Sequence, residues 1–289
     1  MRKNGAQPRN HPERLACLLP PSAVSRPGER QRSLQDEVDS LRSERLDLHS
    51  QLFEAAQIQR KLCGPQHLRY GSFHFTSEVF AARLLSGDFT TFLQNGSQVL
   101  FAHGDIAGKG VAAGMWFTNI AGLLQSYGRP GSNPARIASE VNRHLCYLRP
   151  VAPFVTAFLA QIDCDRGQVT YCNAGHFPPI LLRAEGRTSL LETGGPLLGA
   201  IESAEFQSGE LVLEPGDTLV AYSDGVIECR DESGEEFGVE RMLEALRRSQ
   251  SPSAQTTLLS LLAALQDFAN GSPLCDDVSL TVIQRDAES

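Results

Sequence analysis

Four aspartates stand in short turns at the ends of strand-like runs: Asp88 in SGDF, Asp105 in HGDIAGKG, Asp224 in YSDG and Asp276 in CDDVSL. Each has a glycine or a second aspartate, Asp277, beside it. Aspartate is common in turns, so a single such site signifies little. A carboxylate at a strand end, with glycine letting the backbone come close, is also how proteins hold hard cations. Several carboxylates gathered in one place could not all stay ionised without cations, because like charges raise one another's pKa. Mg²⁺ or Mn²⁺ resolves this, since both prefer carboxylate, carbonyl and water oxygens. Two such ions, about 3.5–4 Å apart, can share a water and lower its pKa from about 15.7 toward neutrality, giving a nucleophile able to attack phosphorus. The pattern points to a metal-dependent hydrolase that needs no nucleophile of its own. No GxSxG elbow and no HExxH helix competes with it. HGDIAGKG is not a nucleotide-binding P-loop, because Gly110 follows Lys109 where that loop needs Ser or Thr.

The 289 residues carry a net charge of −8, with 41% hydrophobic residues. A sizeable core is affordable, and the acidic balance argues against a nucleic-acid partner. The seven cysteines form no CxxC pair and no zinc spacing. With no apolar leader and no membrane-length apolar run, the expectation is a cytoplasmic protein with reduced, mostly buried cysteines and no membrane association.

Residues 1–32, rich in Pro, Arg, Asn and Ser, read as a flexible tail. Residues 33–63 lack Gly and Pro and place Leu34, Val38, Leu41, Arg45, Leu48, Leu52, Ala55, Gln59 and Leu62 in a heptad register. A coiled coil that makes a homodimer is expected, with a helix packed along its own domain as the alternative; Arg45 and Gln59 would weaken the seam and set its register. Cys63-Gly64-Pro65 ends the helix. A hairpin turning at Asn95-Gly96 delivers Asp105. Two helices follow, the second capped by Asn133 with Pro134 in its first turn. A second hairpin and a meander then deliver Asp224, and two further helices precede a last strand entered from Asp276 and Asp277. This order describes a layered α+β domain rather than a βαβ sheet.

Between about 66 and 286 the motifs resemble, in order, those of the PPM-type (protein phosphatase 2C-like) metal-dependent phosphatases in their bacterial SpoIIE/RsbU-like branch. SGDF resembles GGDF, HGDIAGKG resembles GDVxGKG, and CNAGHFPPILL resembles NAGHxPxLL. GGPLLGAIESAEF, LEPGDTLVAYSDGVIECRDESGEEFG and CDDVSLTVI resemble the family's G-x-PLG, PGD…TDG…GExFG and DDxTL segments. The resemblance implies a four-layer αββα sandwich, two packed antiparallel sheets flanked by helices, preceded by the coiled-coil helix. It implies two Mn²⁺ or Mg²⁺ ions, bridged by Asp105, with the Ile106 carbonyl on one of them and Asp224 and Asp276 on the second. Asp88 would act beside them, directly or through water, and Asp277 is a secondary candidate. Lys109 could meet the substrate phosphate, cap its own turn or face solvent; His176 could be a general acid or a structural member of the NAGH turn. Ser86, Thr90 and Ser223 depart from the family pattern without removing a carboxylate. The implied reaction is dephosphorylation of phosphoserine or phosphothreonine on a small regulatory protein such as an anti-sigma-factor antagonist. A sensor, if any, would be a separate chain. The competing readings are a catalytically idle phosphatase fold that scaffolds a partner, and a hydrolase of small phosphates.

Overall fold

The structure is a computed structural model, and it describes residues 27–63, 66–129, 131–249 and 253–287. The chain divides into two compact units, Met1–Gln51 and Leu52–Ser289. Residues 1–26 of the expected tail, and Gly64 and Pro65 of the expected helix stop, lie outside the described residues. Helix α1, Pro27–Leu62, begins within the stretch expected to be tail. In the first unit Leu34, Leu41 and Leu48 are more than half exposed. In the second unit the same heptad register turns inward. Leu52, Ala55 and Leu62 are half-buried and Gln59 is buried.

The remaining elements are β1 His67–Tyr70, β2 Phe73–Phe80, β3 Asp88–Asn95, β4 Gln98–Ile106, α2 Val111–Tyr127, α3 Pro134–Tyr147, β5 Val155–Asp163, β6 Gln168–Ala174 and β7 Ile180–Leu182. They continue with β8 Thr188–Leu190, β9 Gly194–Gly195, β10 Gly209–Val212, β11 Thr218–Tyr222, α4 Asp224–Ile227, α5 Gly238–Arg248, α6 Ala254–Ala269 and β12 Val278–Arg285. One sheet runs β1-β2-β12-β11-β7-β8; the other runs β10-β6-β5-β4-β3, with β9 beside β6.

Strand alternation explains the layering. On β4, Leu100 and Ala102 join Phe117, Ile120 and Val141 of α2 and α3. Val99 and Phe101, one residue out of step, face the second sheet and meet Phe75, Phe158, Leu219 and Ile283. On β12, Val278, Leu280 and Val282 pack against Met242, Leu246 and Leu261 of α5 and α6. The result is the expected four-layer αββα sandwich. Each fully buried Phe of the middle layer contributes about 1.5–3 kcal/mol.

Local signals mostly hold. The Asn133 side chain caps α3 by accepting from the backbone N–H of Ala135 and Arg136. The first hairpin turns one residue later than its Asn-Gly suggested. Asn95 pairs with Gln98, so the loop is Gly96-Ser97, and Gly96 takes a positive φ. Tertiary register has overridden the local turn preference there. Among the described cysteines only Cys164 and Cys172 are buried, fewer than composition suggested. No described helix is long and apolar enough to cross a membrane.

Candidate metal centre

The layer between the sheets changes character toward one end. Its middle is aromatic, with Phe92 stacked on Phe101. One step further along the same inward-facing positions come Thr90 and His103, paired across β3 and β4, and then Asp88 and Asp105, paired likewise. From the other sheet, β12 contributes Ser279 and Thr281, and Asp276 and Asp277 precede it. β11 ends at Tyr222, and Asp224 opens the single turn α4 rather than a bare turn. One sheet thus supplies Asp88 and Asp105, and its partner supplies Asp224 and Asp276.

The carboxylates feel one another. Burial, then Asp224, Asp276 and Asp277, push Asp105 up to about 6. Asp224 is raised by burial and by Asp276 and Asp277, an effect partly offset by the Gly225 N–H. Asp88, 3% exposed, is raised well above the carboxylate range by burial, with Asp105 and Asp277 adding to the effect and the Ser223 and Ser279 hydroxyls opposing it. Among the described residues no three His, Cys, Asp or Glu side chains converge tightly enough to form a finished ion cage. The donor set nevertheless fits a hard cation. Asp88 Oδ2 is buried without a hydrogen-bond partner, an arrangement that costs free energy unless a cation or donor meets it. A Cβ at Gly87 would lie 2.8 Å from the Ile106 carbonyl oxygen and 2.9 Å from Asp105 Oδ1. Only glycine therefore leaves those two oxygens open on that side.

Asp277 has a different task. Its Oδ1 accepts from the Ala82 N–H at 2.8 Å, and its Oδ2 accepts from Ser86 Oγ at 2.8 Å and the Gly87 N–H at 2.7 Å. It ties down the turn that carries Asp88. Ser86, where the family has glycine, also accepts from the Asp88 N–H at 3.0 Å. Gln59 grips the same turn from α1. Its Nε2 donates to the Ser86 carbonyl at 2.7 Å and its Oε1 accepts from the Ser86 N–H at 3.2 Å. Its heptad position had suggested a register-setting seam residue; the signal was a polar residue in an apolar stripe, and only the fold shows what it touches. Beside this turn lies a cleft of about 440 Å³, and Phe53, Phe80, Leu274 and Arg60 line it as far as Asp88.

Lys109 neither caps its turn nor stands free. Its Nζ donates to Asp276 Oδ2 at 2.8 Å. His176 is 6% exposed, and burial holds it down to about 4. Burial thus favours the uncharged imidazole near neutral pH over the imidazolium that a general acid would need. Its Nδ1 meets Thr156 Oγ1, and its backbone N–H donates to Asn173 Oδ1, which ties it into the turn.

The family model of stage II sporulation protein E (SpoIIE) matches residues 95–286. The chain belongs to the SpoIIE family. It is 29% identical over 252 residues to phosphoserine phosphatase RsbU of Bacillus subtilis, covering 86% of this chain and 74% of that protein. It is 30% identical over 233 residues to protein IcfG of Synechocystis, covering 71% of this chain but only 36% of IcfG. Among solved structures, the PP2C domain of SiaA from Pseudomonas aeruginosa superposes with a TM-score of 0.72 at 20% identity, covering 84% of this chain and 99% of that one. RsbX, solved in complex with magnesium, superposes with a TM-score of 0.59 at 18% identity, covering 76% of this chain and 98% of that one. At these identities the superpositions establish the PP2C-like fold of this SpoIIE-family chain.

Proposed function

We propose that this chain is a metal-dependent phosphatase that removes phosphate from phosphoserine or phosphothreonine on a small regulatory protein. The observation that carries the reading is the gathering of Asp88, Asp105, Asp224 and Asp276 at the shared end of two sheets, where burial and neighbouring carboxylates raise Asp88, Asp105 and Asp224. Family membership and the phosphoserine phosphatase RsbU support the same reading. Asp105 and the Ile106 carbonyl, with Asp224 and Asp276, would hold Mn²⁺ or Mg²⁺, and Asp88 completes the set. When bound, such ions acidify water and neutralise charge on the phosphoryl oxygens. The chain's own residues hold the carboxylates apart on two sheets, orient Asp88 through the Ser86–Asp277 turn, and keep an apolar wall beside it. Arg60 on the cleft and Arg83 nearby add cations suited to a phosphorylated partner.

Purified chain should hydrolyse a phosphoserine peptide with Mn²⁺ and lose turnover when EDTA is added. Binding of the phosphoprotein without turnover would instead favour the scaffold reading, and preference for nucleotides over phosphopeptides would favour a small-phosphate hydrolase. We further propose that α1 makes the homodimer through its exposed Leu34, Leu41 and Leu48. Leu41→Lys with Leu48→Lys should then give a monomer by light scattering, and an unchanged mass for that variant rejects the coil.

A further inference from the structure

Among the described side chains of α1, Gln59 is the one that is buried, whereas Phe53 and Ile58 of the same helix are more than half exposed. A buried amide costs free energy unless both of its ends are hydrogen-bonded. Gln59 commits both ends to a single residue. Its Nε2 donates to the Ser86 carbonyl at 2.7 Å, and its Oε1 accepts from the Ser86 N–H at 3.2 Å. Ser86 lies two residues before the ladder of β3 with β4 begins at Asp88. The Gln59 amide thus makes the pair of bonds that a neighbouring strand would make. Docking of the helix end does not require it, because Leu62 and Cys63 already pack against the core.

The contact continues into the candidate centre through hydrogen bonds alone. Ser86 Oγ donates to Asp277 Oδ2 at 2.8 Å and accepts from the Asp88 N–H at 3.0 Å. The carbonyl of the next residue, Gly87, accepts from the Ile106 N–H at 3.2 Å. Every polar group of Ser86 is therefore bonded. Its turn is fixed at once to α1, to Asp277 and, through Gly87, to the end of β4 that carries Asp105 and Ile106.

We propose that Gln59 is a positioning residue for the metal centre, holding the Ser86–Asp88 turn so that Asp88 keeps its place opposite Asp105 and the Ile106 carbonyl. The proposal rests on the metal-dependent reading above. Groups that orient the ligands of a metal commonly set its affinity by about 10–100-fold. Gln59 acts through one intervening residue, so the lower end of that range applies.

The test is Mn²⁺ binding to the full chain by titration calorimetry, on protein shown to be folded by circular dichroism. Gln59→Met keeps an unbranched, helix-forming side chain of similar length and removes both bonds to Ser86. It should weaken Mn²⁺ binding about 10-fold. Asn133→Ala is the control. It removes the α3 cap, so it lowers the melting temperature without touching the turn, and it should bind Mn²⁺ within about 2-fold of the starting chain. A folded Gln59→Met chain with unchanged Mn²⁺ affinity overturns the proposal, whatever its melting temperature. Equal weakening in Asn133→Ala also overturns it, since general loosening would then account for both. If Gln59→Met does not fold, hydrogen exchange on the starting chain decides. Coupling between two sites is reciprocal, so saturating Mn²⁺ should slow exchange of the Ser86 amide by up to about 10-fold; exchange there that ignores Mn²⁺ overturns the proposal. A starting chain that binds no Mn²⁺ overturns the metal reading itself, and with it this inference.

Discussion

Asp105→Asn should lose phosphatase activity by at least about 10³-fold, since metal-ion catalysis supplies several kcal/mol of charge stabilisation, yet the metal-free variant should be more stable than the starting chain at pH 8. Both effects have one cause. Burial and the neighbouring Asp224, Asp276 and Asp277 push the Asp105 pKa up to about 6. The folded value lies above the unfolded one, so the stability linked to this group is full below about pH 4 and is lost as pH rises through about 6. At pH 8 the ionised carboxylate then disfavours the metal-free fold by on the order of 2 kcal/mol. Asparagine, uncharged and nearly isosteric, escapes that cost. Thermal melts in EDTA should show Asp105→Asn gaining over the starting chain between pH 4 and 8, with the gain vanishing below about pH 4. Comparing the two chains at each pH cancels the opposite contribution of the buried His176, whose pKa is lowered. An Asp105→Asn variant less stable than the starting chain at pH 8 would show that the carboxylate is already neutralised by a group within the fold, and would remove the argument for a cation.

Asp277→Ala should damage both stability and catalysis, although Asp277 is not expected to touch the metal. Its carboxylate accepts from the Ala82 N–H, the Ser86 hydroxyl and the Gly87 N–H. Removing the acceptor from a residue only 8% exposed strands those donors, at about 3 kcal/mol in total. For a domain of this size that lowers the Tm by roughly 10 °C. The freed turn is the one that sets Asp88 and keeps Gly87 against Asp105 and Ile106, so Mn²⁺ affinity should fall as well. Asp277→Asn, which can keep the Ser86 and Gly87 bonds through one oxygen, should lie between the two in melting temperature. An Asp277→Ala chain with unchanged Tm and unchanged Mn²⁺ affinity would show that the turn is held by the Gln59 contacts alone.

The four carboxylates were legible because each occupies a turn with its own local signature, and the signatures occur in a family order. The sandwich was legible because apolar residues alternate along β4, β5 and β12, and the Asn133 cap is a purely local device. Partners from distant segments were not legible. Asp277 looked like a second-choice ligand, since its spacing from Asp276 does not reveal Ala82 and Ser86 nearly two hundred residues away. Lys109 left several readings open until its ion pair with Asp276 was in view. Gln59 fitted a seam position equally well with or without a coil.

Sequence alone determined which residues of this SpoIIE-family chain carry charge, where its strands and helices run, and that Asp88, Asp105, Asp224 and Asp276 stand at strand ends. Those properties depend on neighbours a few residues apart, through turn chemistry and side-chain period. Tertiary structure alone decided which polar groups support them. Distant segments must close on each other before Gln59 meets Ser86, or Asp277 meets Gly87, and only burial makes such contacts matter. The desolvation that raises Asp105 exists only once water has been excluded from between the sheets.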